Sequence, residues 1–267
     1  GATLGELQTL YDSLDRDLVE ARKIQQSLVR DRERDFGSAK VSLMLRPSGH
    51  VGGDLVGYVP LSLRKLGLFA IDVSGHGVAS AMLAARLAGM LSGIAGHADA
   101  SIVGSTGPLD PWPPEIVARN LNRALIDVVR VEQYITCIYA LADLATGRVE
   151  LVQAGHPHPL VLRADGRVQM VGRGGLPVGL VDRASWDRTV VDLAPGDRLF
   201  LMSDGLTECP GPDGLELGED GVAEIVRRQT ELRGTRFLDA LHWEVERFAA
   251  GRDAADDMSA VLYEFGI

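Results

Sequence analysis

Apolar residues recur at alternating three- and four-residue steps at Leu4, Leu7, Tyr11, Leu14, Leu18, Ala21 and Leu28, and only Gln25 interrupts the seam. Charged residues fill the positions between them, and no glycine or proline follows Gly5 in this stretch, so the pattern predicts one amphipathic helix. So narrow a seam favours pairing in a dimeric coiled coil over packing on the helix's own domain. Gln25 is expected to weaken that contact where the helix approaches the rest of the chain.

After Asp35-Phe36-Gly37 the period drops to two, predicting strands over 39–46, 54–59 and 66–73, and a helix over 77–91 rich in small apolar positions. The segment Gly104–Pro114 is dense in glycine and proline and reads as a surface loop whose Leu109 and Trp112 would face a partner. A helix over 115–129 follows, then strands over 134–141, 148–153, 159–162, 187–191 and 198–202 separated by glycine-bearing turns. Two helices, 219–228 and 235–249, the second with Thr235 as its N-cap, precede a last strand over 259–265. Strands and helices do not alternate strictly, which argues for an antiparallel α+β layered fold over a doubly wound one.

The 267 residues, 46% of them apolar, suffice for one large core, and the formal net charge of −10 opposes binding to nucleic acid or an anionic membrane surface. The longest weakly polar stretch, 66–96, is broken by Asp72, His76 and Arg86, whereas a membrane span needs about 20 nearly uninterrupted apolar residues. Cys137 and Cys209 have no metal-binding or redox spacing. A cytoplasmic location is expected. The sequence opens Gly1-Ala2-Thr3 with no initiator methionine, so a piece of a longer protein, with a sensor upstream, is expected.

Four short motifs place an aspartate where a strand ends or a turn begins: Gly52-Gly53-Asp54, Asp72-Val73-Ser74-Gly75-His76-Gly77, Ser203-Asp204-Gly205 and Asp256-Asp257-Met258-Ser259. Taken singly, an aspartate before glycine is commonly a turn. Four of them, two abutting strongly apolar runs, resist joint desolvation unless cations neutralise their repulsion. Oxygen-only ligands select Mg²⁺ or Mn²⁺, and a pair of such ions suits hydrolysis of a phosphate ester.

Together with Ala154-Gly-His-Pro-His-Pro159 and Gly175-Leu-Pro-Val-Gly-Leu180, these motifs resemble, in order, the SpoIIE/RsbU branch of the PPM-type, protein phosphatase 2C-like enzymes, from about Ala21 to the end. The resemblance implies an α-β-β-α sandwich of two antiparallel sheets, with residues 1–30 as an N-terminal regulatory helix and 31–267 as the phosphatase domain. It implies two Mn²⁺ or Mg²⁺ ions: Asp72 bridging both, the Val73 carbonyl and Asp54 serving the second, and Asp204 and Asp256 serving the first. It further implies a metal-dependent serine/threonine protein phosphatase acting on a phosphorylated STAS-type anti-sigma-factor antagonist, dimeric through the N-terminal helix. A catalytically inactive relative that sequesters its partner is the alternative.

His76 suits either phosphate contact and leaving-group protonation or the orienting of its turn, and the same choice applies to His156 and His158. Thr136 matches a family threonine and is expected in packing or behind the ligands. Many family members carry an aspartate where this chain has Gly57, which implies a weakened or differently filled metal position.

Overall fold

The run Leu66-Gly-Leu-Phe-Ala-Ile71 is apolar on both faces, the pattern of a strand covered on both sides. A computed structural model, which describes residues 3–29, 31–92, 102, 104, 111–129 and 132–267, shows what covers it. The run lies in β4 (Lys65–Val73) of a five-stranded sheet ordered β3 (Asp54–Pro60), β4, β5 (Ile135–Asp143), β6 (Arg148–Ala154) and β9 (Thr189–Asp192). A six-stranded sheet stacks on it, ordered β1 (Glu33–Asp35), β2 (Ala39–Arg46), β11 (Met258–Phe265), β10 (Arg198–Met202), β7 (Leu160–Leu162) and β8 (Val168–Met170). Every pairing within the two sheets is antiparallel.

The side-chain period of two divides these strands among three apolar layers. Leu66, Leu68 and Ala70 of β4 meet Leu199 and Leu201 of β10 and Val261 and Tyr263 of β11 between the sheets. Phe69, Ile71 and Val73 face outward beneath helices α2 (Val78–Ser92) and α3 (Pro114–Arg123). On the far side, Phe200 and Met202 pack under α5 (Gly218–Arg227) and α6 (Gly234–Ala249). The result is the expected α-β-β-α sandwich. A short helix, α4 (Asp204–Thr207), follows β10, and a π-helical turn, Ala124–Val129, extends α3.

Helix α1 (Leu4–Ser27) starts with a capping box between Thr3 and Glu6. Its seam divides into two halves. Leu4, Leu7, Tyr11 and Leu14 are exposed, whereas Leu18 and Ala21 are half-buried and Gln25 is 7% exposed. Gln25 fastens the helix to its own domain: its side-chain amide donates to the Gly52 carbonyl and accepts the Gly52 N–H at 3.0 Å. An amide can satisfy a backbone donor and acceptor together, which no apolar seam residue can do.

Two further expectations are corrected. Thr235 lies inside α6, whose N-cap is Arg233 with no side-chain cap. The free amides at that end go instead to carboxylates from the six-stranded sheet, Gly234 to the buried Glu264 at 2.9 Å and Thr235 to Glu33 at 3.2 Å. Trp112 is partly buried against the core under α2 and α3 and does not face outward to a partner. Leu109 lies outside the described residues.

Candidate metal centre

The rows of side chains between the sheets are apolar in the middle and polar at one end. Following each strand by steps of two, Val56 leads to Asp54, Ala70 to Asp72, Ile138 to Thr136, Leu201 to Ser203 and Val261 to Ser259. The registers bring these ends together: Asp54 pairs with Asp72 and Asp72 with Thr136 across adjacent strands, while the Ser259 hydroxyl donates to Asp54 at 2.6 Å. The Ser259 amide in turn donates to the Ser203 hydroxyl at 2.9 Å. Asp204 follows Ser203 as the first residue of α4.

Asp257 ties three of the motifs together. Its carboxylate accepts from the Ser48 amide at 2.8 Å, the Ser48 hydroxyl at 3.2 Å and the Asp54 amide at 3.3 Å. A Cβ at Gly52 would overlap this carboxylate, and a Cβ at Gly205 would overlap the Asp257 carbonyl. Those two glycines are thus required by close approach and not by turn conformation. Gly53 is similar, since a Cβ there would stand 2.9 Å from the Val73 carbonyl oxygen. Asp256, next in chain, is exposed and accepts the Asp257 amide at 2.8 Å.

The electrostatics are those of crowded acids. Burial pushes the Asp54 carboxyl well above the usual aspartate range, and Asp72 adds to the rise. Burial, then Asp204 and Asp256, carry Asp72 up to about 7. Burial, then Asp256 and Glu208, bring Asp204 to about 6, and burial also raises Asp256. One oxygen of Asp204, Oδ1, is buried without a hydrogen-bond partner. An orphaned acceptor beside mutually repelling carboxylates calls for a cation.

Among the described residues, no group of three or more His, Cys, Asp or Glu side chains is arranged to hold a metal ion as it stands. The acids instead crowd one another: Asp54 stands opposite Asp72 across the β3–β4 pair, and Asp204 is close enough to Asp72 to raise its pKa. The donor set, all oxygen, fits a hard divalent cation once the carboxyls are ionised.

The remaining sequence candidates are spread around this centre. His76 is exposed on the turn between β4 and α2. His156 is buried, with Nδ1 3.0 Å from the Thr136 hydroxyl, and burial lowers its pKa to about 4, so it is neutral at ordinary pH. Thr136 is thereby flanked by Asp72 on one side and an uncharged imidazole on the other. His158 pairs with Glu219 of α5 at 3.0 Å. Gly57 sits in the outward row of β3, opposite Phe69, and a Cβ there would meet the Phe69 ring under α2. A side chain at that position would not enter the acidic centre.

Sequence reasoning passed over Asp257, Ser259 and the role of Gln25. The parity of β11 carries Asp257 and Ser259 into the row between the sheets and leaves Asp256 out of it, a distinction that the period of two already contains.

The family described as Stage II sporulation protein E (SpoIIE) matches residues 63–266. Phosphoserine phosphatase RsbP of Bacillus subtilis (strain 168) is 26% identical over 198 residues, covering 72% of this chain and 45% of that protein. Phosphoserine phosphatase RsbU of the same organism is 22% identical over 210 residues, covering 78% of this chain and 58% of its own length. Among solved structures, the SiaA-PP2C domain of Pseudomonas aeruginosa superposes with a TM-score of 0.78 at 18% identity, covering 96% of this chain and 98% of that one. The chain thus spans about half the length of these curated relatives, and its fold matches a complete PP2C domain.

Proposed function

The chain belongs to the SpoIIE family, within the RsbU-like branch of PPM-type phosphatases, and from that premise we propose that it is a metal-dependent serine/threonine protein phosphatase. The observation that carries this reading is the meeting of Asp54, Asp72 and the orphaned Asp204 oxygen at one end of the layer between the sheets. Asp54, Asp72, Asp204 and Asp256, with the Val73 carbonyl, would hold two Mn²⁺ or Mg²⁺ ions. Bound there, such ions supply Lewis-acid polarisation of a phosphoryl oxygen and a water nucleophile at neutral pH.

The chain's own residues do the rest. Ser259 holds the Asp54 carboxylate by its 2.6 Å hydrogen bond, and Asp257 fixes the start of β3 by accepting the Asp54 amide. Thr136, beside Asp72, hydrogen-bonds a neutral His156, so the imidazole brings no positive charge next to Asp72. His76, exposed beside the centre, is the side chain suited to meet the phosphate of a substrate.

Two relatives are named phosphoserine phosphatases, and the substrate proposed for this chain is a phosphoserine or phosphothreonine of a STAS-type signalling protein. Residues 1–30 would form a regulatory segment and 31–267 the phosphatase domain. The exposed half-seam Leu4, Leu7, Tyr11 and Leu14 supports pairing of two copies, and the Gln25–Gly52 contact supports communication with Asp54 two residues on. No helix among the described residues is long and apolar enough to cross a membrane.

A second reading is a phosphatase fold that binds its partner without hydrolysis. Phosphate release from a phosphorylated STAS protein, with Mn²⁺ and with excess chelator, separates the two. Release only with the metal supports the enzyme; binding without release supports the inactive relative.

A further inference from the structure

Outside α1, twelve large apolar side chains are exposed among the described residues, and six of them, Val78, Met82, Tyr134, Leu176, Leu180 and Val181, belong to segments knitted together at one place. Their exposure runs from 37% at Tyr134 to 69% at Met82. The Ser74 amide donates to the Tyr134 carbonyl and the Tyr134 amide to the Ser74 hydroxyl, both at 2.9 Å. Ser80 of α2 donates to the Ser74 carbonyl at 3.3 Å, which holds the turn of α2 bearing Val78 and Met82 against the same spot. Val178, between Leu176 and Leu180, exchanges backbone hydrogen bonds of 2.8 and 2.9 Å with Ile135. Ser74 is two residues beyond Asp72, so these apolar side chains stand around the turn that leads out of the acidic centre.

Next to this apolar rim lies a groove carrying three arginines. Arg119 and Arg123, one turn apart on α3, and Arg183 line a cavity of about 490 Å³. The groove joins the rim at Val181, whose carbonyl accepts from Asn122 at 3.0 Å. Asp127 and Asp182 also line it, and Arg183 pairs with Asp182 at 3.9 Å, whereas neither Arg119 nor Arg123 forms an ion pair among the described residues. In a chain of net charge −10, guanidinium groups gathered beside exposed apolar surface mark an interface for a protein of matching character.

We infer that this rim and groove dock a folded phosphoprotein substrate, whose phosphorylated side chain enters the acidic centre while an apolar patch beside it covers Met82, Tyr134 and Leu180. Acidic side chains at the edge of that patch meet Arg119, Arg123 and Arg183. The inference rests on the phosphatase reading and deepens it: recognition lies in the substrate's folded surface, not in the few residues around its phosphoserine. A short peptide would cover little of this rim.

The test uses three substrates with Mn²⁺: a phosphoserine-bearing STAS protein, a phosphopeptide spanning its modified serine, and p-nitrophenyl phosphate. Met82→Glu and Leu180→Glu are compared with wild type and with Trp243→Glu, which alters an exposed apolar residue on α6. The expected result is higher kcat/KM for the folded protein than for the peptide in wild type. Both rim variants should then lose about tenfold or more on the folded protein, through KM, and less than about threefold on p-nitrophenyl phosphate. Trp243→Glu should change neither. Equal losses on all substrates, no loss in either variant, or a wild type that prefers the peptide would overturn the docking surface. Hydrolysis of none of the three by wild type would overturn the phosphatase reading beneath it.

Discussion

Asp54 and Asp72 stand directly opposite one another on the neighbouring antiparallel strands β3 and β4, so two carboxyls share one end of the layer between the sheets. Like charges paired this way cost roughly 0.2–1 kcal/mol, a penalty that a bound cation or a proton relieves. Replacing Asp72→Asn removes one charge and keeps the shape. In chelator, the variant is expected to melt a few degrees above wild type, since about 1 kcal/mol shifts a domain of this size by about 2–4 °C. Added Mn²⁺ should then stabilise wild type and not the variant. A chelated Asp72→Asn protein that melts below wild type would show that the pair is not in conflict.

The same crowding sets a pH dependence. Asp72 rises from 3.8 to about 7 and Asp204 from 3.8 to about 6 on folding, so the folded chain binds more protons than the unfolded chain between those values. Where the folded state binds more protons, stability falls as pH rises. These two groups therefore make the metal-free protein lose stability from about pH 4 upward, Asp204 to about 6 and Asp72 to about 7. Melts in chelator across this window, repeated with saturating Mn²⁺, should show the fall only without metal. A chelated protein that gains stability over the window would contradict the assignment.

Gln25 is the one buried residue of α1, and its amide engages both backbone groups of Gly52. Gln25→Ala leaves a buried N–H and C=O unpaired, a loss of about 1–3 kcal/mol each unless the helix lifts and admits water. Lower thermal stability and weaker Mn²⁺ binding are expected together, because Gly52 is two residues from Asp54. Glutamine-to-glutamate exchange should fare little better, since a carboxylate cannot donate to the Gly52 carbonyl. Unchanged metal affinity in Gln25→Ala would reduce the contact to packing.

Gly52 and Gly205 abut Asp257 from two different motifs, and a methyl group at either would displace it. Gly52→Ala and Gly205→Ala are each expected to destabilise the fold by more than about 1 kcal/mol, the lower range for overpacking. Gly89→Ala on α2, where a Cβ meets nothing within 4 Å, serves as the comparison. Denaturant midpoints for the three variants decide it; equal midpoints would mean that Asp257 shifts freely.

The layered fold was legible because its strands carry their burial in a period of two. Phe69 and Ile71 against Leu68 and Ala70 already announce a sheet covered on both faces. The acidic residues were legible as a group, because carboxylates at the ends of apolar strands are costly alone. What escaped was long-range. Whether Asp256 or Asp257 turns inward depends on the register of β11 against β2, a pairing more than two hundred residues apart in sequence. Gln25 read as a flaw in an apolar seam because its partner, Gly52, is a backbone group that no side-chain pattern displays. Thr235 read as a cap because the true acceptors, Glu33 and Glu264, come from distant strands.

The most direct test of the account is phosphate release by the purified chain from a phosphorylated STAS protein, with Mn²⁺, with excess chelator, and with Asp72→Asn in place of wild type. Release by wild type with Mn²⁺, none in chelator, and a loss of at least about a hundredfold in the folded variant are expected, given how much charge stabilisation a metal-holding carboxylate commands. Full activity in chelator, or wild-type rates in Asp72→Asn, would contradict it.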